Sequence, residues 1–109
     1  MLKEDIKSEI KKHALEEMPN ECCGLLVIEN GLERVFKCKN IAKDIKSNFD
    51  ICPNDYLKAA KLGEIKGYYH SHPNDNNKLS DADKKVSLFH ELKLIMYCVG
   101  EDEFIEYNE

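Results

Sequence analysis

The sequence predicts an α/β protein in which a mixed β-sheet is sandwiched between helices. Apolar runs of strand length alternate along the chain with segments whose apolar residues recur at helical spacing. A chain of 109 residues with 42% hydrophobic residues has the usual size of one domain and can bury one modest core. We therefore expect residues 1–109 to form a single domain without repeats or linkers.

The first predicted element is an amphipathic helix over residues 3–18. Its apolar residues recur at four-residue intervals: Ile6, Ile10, Ala14 and Met18. Pro19 should end this helix, because a residue that precedes proline is disfavoured in the α region. His13 lies in the last two turns, where we expect a surface imidazole.

A β-hairpin is predicted next. Residues 21–28 form an apolar run of strand length, and residues 32–39 alternate in polarity like a returning antiparallel strand. Between them, Asn30-Gly31 is a strong signal for a two-residue hairpin turn.

A connection and a second helix follow the hairpin. Residues 40–47 resemble a connecting loop, and residues 48–51 are predicted to be a short strand. The second helix is predicted over residues 53–62, because Pro53 suits a first helical turn and Gly63 suits a C-terminal stop.

The remaining chain predicts two strands around a helix, followed by an edge strand. Residues 64–72 form the first of these strands and residues 80–92 the third helix. Residues 94–99 are very apolar, and we expect them to form a central strand. A turn at residues 100–102 then leads to an edge strand at 104–107.

Charge and composition exclude several classes of partner. The net charge is −5 and the lysines are interleaved with acids, so the chain carries no basic stripe that could neutralise phosphates. No apolar run reaches the length of a membrane span, and the N-terminus lacks the apolar core of a signal peptide. We expect a cytoplasmic protein that binds neither nucleic acid nor membrane.

The cysteine pattern favours reduced thiols. The five cysteines are odd in number and irregular in spacing, and no Cys-x-x-Cys occurs among them. In a reducing cytosol such residues are usually small, half-buried thiols, which we favour over disulfides or a second metal site.

The most distinctive pattern is His70-x-His72 followed by Ser80-x-x-Asp83. If residues 65–72 form a strand, both histidines point to the same face and can share one ion. Residues 73–79 would turn the corner, after which Asp83 in a first helical turn could return a carboxylate towards the imidazoles. Two imidazoles and one carboxylate suit Zn²⁺, and three protein ligands leave one position for water.

Each half of this pattern also has a simpler interpretation. The histidines could be exposed at a strand end, and Ser80 with Asp83 could be a capping box. Composition alone would produce the full spacing with a chance on the order of one in two thousand, which favours the metal site. Glu21 is the leading candidate for a general base, although a carboxylate is also ordinary at a strand end.

Together these residues resemble a known signature. Glu21 with His70-x-His72-x7-Ser80-x2-Asp83 is similar to the JAMM signature of the MPN-domain metalloproteases, and Pro19-x-Glu21-x-Cys23-Gly24-Leu25-Leu26 resembles the strand that carries their glutamate. The resemblance is closest to short prokaryotic and phage members, in particular the N-terminal domain of phage tail assembly protein K. Three further segments carry that likeness: residues 40–42, 49–56 and 63–73.

The resemblance implies an MPN fold, which is like that of cytidine deaminases, and a zinc-dependent hydrolase. His70, His72 and Asp83 would hold Zn²⁺, with water as the fourth ligand. Glu21 would accept the proton of that water and pass it to the leaving nitrogen. Ser80 would donate its hydroxyl to the oxyanion. Ser71, between the two histidines, would face the other side of the strand and be structural.

The implied substrate is a protein or peptide that is cut at an amide near a C-terminal tail. It could be a ubiquitin-like or sulfur-carrier protein adduct, or a phage tail protein. Phage proteins of the K type often continue into a cysteine peptidase domain, whereas this chain stops at Glu109. The sequence does not predict an oligomeric state.

Three other functions compete with this hypothesis. The chain could be a non-hydrolytic tail assembly module with a structural zinc. It could be a cysteine hydrolase that uses Cys22 or Cys23, although this leaves the His-x-His spacing and Asp83 unexplained. A zinc deaminase is rejected, because the sequence lacks the His-x-Glu and Cys-x-x-Cys of that chemistry.

Overall fold

The computed structural model describes residues 2–73 and 92–107. The elements in order are helix α1 (Glu4–Glu17), strands β1 (Cys23–Glu29) and β2 (Leu32–Cys38), helix α2 (Pro53–Leu62), and strands β3 (Glu64–His72), β4 (Lys93–Cys98) and β5 (Glu103–Tyr107). The strands form one sheet in the order β2-β1-β3-β4-β5. Among the described strands, β3 and β4 are parallel and the other pairs antiparallel, so the predicted mixed sheet is confirmed.

Both faces of the sheet are covered, because successive side chains of a strand point to opposite sides. One apolar cluster joins α1 to the sheet and contains Leu2, Ile6, Ile10, Ala14, Cys22, Leu26, Tyr69, Ile95 and Tyr97. The other joins α2 to the opposite face and contains Cys23, Leu25, Val27, Cys38, Ala59, Tyr68 and Leu94. Among the described residues, one helix therefore lies on each face, which gives the predicted sandwich.

The hairpin turn between β1 and β2 has the predicted geometry. Asn30 and Gly31 have φ angles of 53° and 79°, which is the left-handed region that a two-residue type I′ turn requires at both positions. Glu29 pairs with Leu32, and the register continues to Cys23 opposite Cys38.

Two predicted details need correction, and a third is not tested by the described residues. Residues 48–51 do not form a strand, because only an isolated bridge between Asn40 and Ile51 is present. The middle strand of the sheet is β3, while β4 lies between β3 and the edge strand β5. For the helix predicted over residues 80–92, residues 80–91 lie outside the described residues. Its last residue, Leu92, directly precedes β4.

His13 was predicted at the surface, and this is wrong. Only 5% of the residue is exposed, and its Nδ1 lies 2.7 Å from the hydroxyl oxygen of Tyr69. The reason is helical spacing, since His13 shares the buried face of α1 with Ile6, Ile10 and Ala14. Burial lowers the pKa of His13. The smaller effects of the charges nearby differ in sign, since Glu17 and Glu16 raise this pKa and Lys37 lowers it.

This buried histidine predicts that the protein loses stability in mild acid. The neutral Nδ1 can accept the Tyr69 O–H, because burial raises the pKa of that phenol and keeps it protonated. As pH falls below about 6.5, the unfolded chain binds a proton that folded His13 does not, so the free energy of unfolding decreases. Thermal unfolding between pH 8 and pH 5 should show this fall, and His13→Gln should flatten it relative to wild type. An unchanged pH dependence in His13→Gln would contradict the assignment.

The cysteines are free thiols, as expected, although they are more buried than predicted. All five lie in described segments, and four of them are buried: Cys22, Cys23, Cys38 and Cys98. Within the described residues, no helix has the length and apolarity needed to span a membrane.

Candidate metal centre

The end of β3 brings the two predicted histidine ligands together. His70 and His72 both lie on the α2 side of the sheet, since the strand alternates and Ser71 between them points the other way. His70 is fully buried and His72 is half-buried. Their ring centroids are 4.9 Å apart, with the ring planes inclined by 52°.

Ser71 has the structural role that was expected for it. It is fully buried, its Oγ accepts the backbone N–H of Cys22 at 2.8 Å, and its own N–H donates to the Cys22 carbonyl at 3.1 Å. These two hydrogen bonds tie the histidine end of β3 to the residue that follows Glu21. Glu21 and the histidines therefore meet because antiparallel β1 starts where β3 ends.

Glu21 is buried beside the histidines. It is 5% exposed, and its Oε1 lies 3.4 Å from Nδ1 of His70. A carboxylate is rarely buried without a cationic, metal or hydrogen-bonding partner, because leaving water costs it several kcal/mol. The position therefore favours a chemical role over that of an ordinary strand-end acid.

The donor set fits zinc. Glu21, His70 and His72 each offer one ligand atom, and these atoms lie within 4.8 Å of one another. Imidazole nitrogens and a carboxylate oxygen are donors that zinc takes in catalytic sites. Ser80 and Asp83 lie outside the described residues, so their roles stay predictions.

Two features of the site were not singled out from the sequence. The ring of Phe49 stacks on the imidazole of His70, with centroids 4.2 Å apart and an interplanar angle of 13°. The side chain of Asn40 donates a hydrogen bond of 3.0 Å to the carbonyl oxygen of Glu21. Both residues lie in segments that resemble phage members of the family, but local periodicity gave no signal for their contacts.

The cysteine hydrolase hypothesis finds no support in this geometry. Burial raises the pKa of Cys22 to about 12 and also raises that of Cys23, so neither thiol forms the thiolate that acts as a nucleophile.

Comparison with known proteins identifies the family. The family model for prokaryotic homologs of the JAB domain (Prok-JAB) matches residues 3–107. The chain belongs to the Prok-JAB family. Its resemblance to JAMM/MPN proteins is thereby confirmed.

One curated relative of this Prok-JAB chain is a phage protein. The chain is 36% identical over 75 residues to the tail tip assembly protein K of Escherichia phage N15. The match covers 69% of the chain but only 31% of the phage protein. The Prok-JAB chain thus corresponds to less than a third of that relative.

Solved structures share the Prok-JAB fold. The solution structure of a protein from Desulfitobacterium hafniense matches with a TM-score of 0.75 and 25% identity, over 94% of this chain and 77% of that protein. The crystal structure of a JAB1/MPN domain protein from Archaeoglobus fulgidus matches with a TM-score of 0.62 and 20% identity, over 94% and 83% of the two chains. These matches confirm the predicted α/β MPN fold.

Proposed function

We propose that this protein is a zinc-dependent peptidase or isopeptidase that hydrolyses an amide bond near a protein C-terminal tail. The observation that carries the proposal is the buried carboxylate of Glu21, 3.4 Å from His70 in a member of the Prok-JAB family. If His70, His72 and Asp83 hold the ion, this buried carboxylate is free to act as the base.

Each residue has a defined task in this proposal. Bound zinc would polarise the scissile carbonyl and lower the pKa of a water to about 7. His70 and His72 would bind the ion, and Asp83 would be the third ligand. Glu21 would take the proton of the attacking water and deliver it to the leaving nitrogen. Ser80 would donate a hydrogen bond to the developing oxyanion.

The proposed substrates are of two classes. One is the adduct of a ubiquitin-like or sulfur-carrier protein, cut after its C-terminal tail. The other is a phage tail protein, which is supported by the similarity to a tail tip assembly protein. In both, an extended tail would add as a strand beside the sheet. We place the activity in the cytoplasm. If a phage encodes the protein, this is the cytoplasm of the host cell.

The test combines metal content with hydrolysis. The purified protein should contain one zinc per chain and release the peptide from a carrier protein extended beyond Gly-Gly, or cut a tail protein. A chelator should abolish hydrolysis and added zinc should restore it. Asp83→Ala should lose most of the zinc, whereas Asp81→Ala should keep it. Zinc-loaded protein that cuts neither class would contradict the hydrolase proposal.

A second candidate is a non-hydrolytic phage tail assembly module in which zinc serves only folding. It is favoured by the name of the N15 relative, which describes assembly. This candidate predicts that zinc removal lowers the melting temperature and that changes at Glu21 leave assembly intact. The hydrolase proposal instead predicts that Glu21→Gln loses turnover and retains zinc.

A further inference from the structure

We propose that residues 40–51, here called the positioning loop, hold Glu21 and His70 in the arrangement that the reaction needs, with Asn40 and Phe49 as the positioning residues. This inference rests on the proposed function for its catalytic consequence. Its structural part concerns the metal-free chain and is tested separately.

The side chain of Asn40 links the loop to Glu21. Its Nδ2 donates to the carbonyl oxygens of Glu21 and Asn48 at 3.0 and 2.9 Å. Its Oδ1 accepts the backbone N–H groups of Ala42 and Asp50 at 3.0 and 3.1 Å. One amide group thus uses both donors and both acceptors, which fixes its orientation. Three of these bonds organise the loop, and the fourth serves only to hold Glu21.

A second link comes from the backbone. The N–H of Glu21 donates to the carbonyl oxygen of Ile45 at 2.7 Å. Glu21 precedes β1, so its backbone lies outside the strand itself. The loop therefore binds both the N–H and the carbonyl oxygen of Glu21. These bonds fix the backbone from which the carboxylate side chain extends.

The same loop also fixes the histidine. Phe49 stacks nearly parallel on His70, and it also packs against the apolar cluster on the α2 face. Turning the imidazole would break this stacked contact, so the ring is held in one orientation. Metal ligands gain affinity from contacts that fix their orientation in this way. Loop closure does not require this contact, since the Asn40–Ile51 bridge and the Ile41 N–H to Asp50 bond already close it.

Two conservative changes isolate the contacts of Asn40 and Phe49, each with a matched control. Asn40→Asp keeps the acceptor for Ala42 and Asp50 but removes both donors, and Asn48→Ala is its control because the Asn48 carbonyl survives. Phe49→Leu keeps an apolar side chain but removes the ring. Its control is Phe36→Leu, since Phe36 packs against the same cluster from β2.

The measurements separate positioning from general stability. In the metal-free protein, the amide hydrogen of Glu21 should exchange with solvent about tenfold faster in Asn40→Asp than in wild type. In Asn48→Ala its exchange rate should stay within about twofold of the wild-type rate. Phe49→Leu should weaken zinc binding about tenfold and alter the absorption spectrum of the cobalt-substituted protein, with Phe36→Leu unchanged. In both test variants kcat should fall with little change in KM.

Several outcomes would overturn the inference. The Glu21 amide is bonded to the Ile45 carbonyl of the same loop, so its unchanged exchange in Asn40→Asp would show that the Asn40 side chain does not hold the loop against Glu21. An unchanged zinc affinity and cobalt spectrum in Phe49→Leu would show that Phe49 does not fix His70. If one of the two variants fails to fold, the other still tests its own contact. If wild type lacks hydrolysis, the proposed function fails, while the exchange and metal-binding measurements still decide the role of the loop.

Discussion

Replacing Glu21 with glutamine is expected to lower turnover by about 10²–10⁴-fold while zinc binding is retained, which is the contribution typical of a general base. Glutamine has nearly the same shape as glutamate but cannot take a proton from water. Since Oε1 of Glu21 lies 3.4 Å from Nδ1 of His70, the amide can occupy the same space. The loss should therefore appear in kcat, measured beside zinc content on the same sample.

The zinc measurement distinguishes two roles for Glu21. Because Glu21, His70 and His72 can together hold an ion, Glu21 could itself be the third ligand. Loss of zinc in Glu21→Gln would favour that role and contradict the role of base. Glu17→Gln is the matched control, since Glu17 is an exposed acid close by in the sequence. Unchanged turnover in Glu21→Gln would contradict the assignment of Glu21 as the general base.

The elements that the sequence predicted well are those with local signals. The bounds of α2 and β3 agree with prediction, because Pro53 and Gly63 bracket the helix and an apolar strand pattern runs on to His72. The convergence of His70 and His72 was predictable from strand alternation alone. The meeting of Glu21 with them was not, because it depends on how β1 pairs with β3. The family resemblance placed Glu21 with the histidines, but it did not predict the pairing of the strands.

The contacts that sequence reasoning missed join residues far apart along the chain. Phe49 stacks on His70, and Asn40 bonds the carbonyl of Glu21, although neither neighbourhood carries a periodic pattern. Residues 48–51 resembled a strand by composition. The Asn40 side chain, however, takes backbone hydrogen bonds from Ala42 and Asp50, and the segment closes as a loop. Side-chain competition for backbone groups overrides strand propensity there.

His13 shows the opposite failure. The helical spacing predicted a buried position, but a surface position was expected because histidine is polar. Its position among Ile6, Ile10 and Ala14 placed it on the buried face of α1. A histidine can be buried there because Tyr69, on β3, offers it a hydrogen bond of 2.7 Å. That partner lies across the core and could not be found from the helix alone.

Replacing Gly24 with alanine is expected to be a strongly destabilising change in the sheet. Gly24 pairs with Tyr69 across β1 and β3, and a Cβ at Gly24 would overlap the Tyr69 ring. Tyr69 is fully buried, and its hydroxyl is bonded to His13, so the ring cannot move aside without losing that bond. Overpacking of this kind costs about 2–3 kcal/mol, which would lower the melting temperature by roughly 10–20 °C.

Gly31→Ala separates this steric effect from loss of glycine flexibility. Nothing lies within 4 Å of a Cβ at Gly31, but its φ of 79° strains an alanine by about 1 kcal/mol. Gly24→Ala should therefore be clearly more destabilising than Gly31→Ala in thermal unfolding. In a Tyr69→Leu background the ring is absent, and Gly24→Ala should cost less than it does in wild type. Equal costs in both backgrounds would show that the Tyr69 ring is not what limits the space at Gly24.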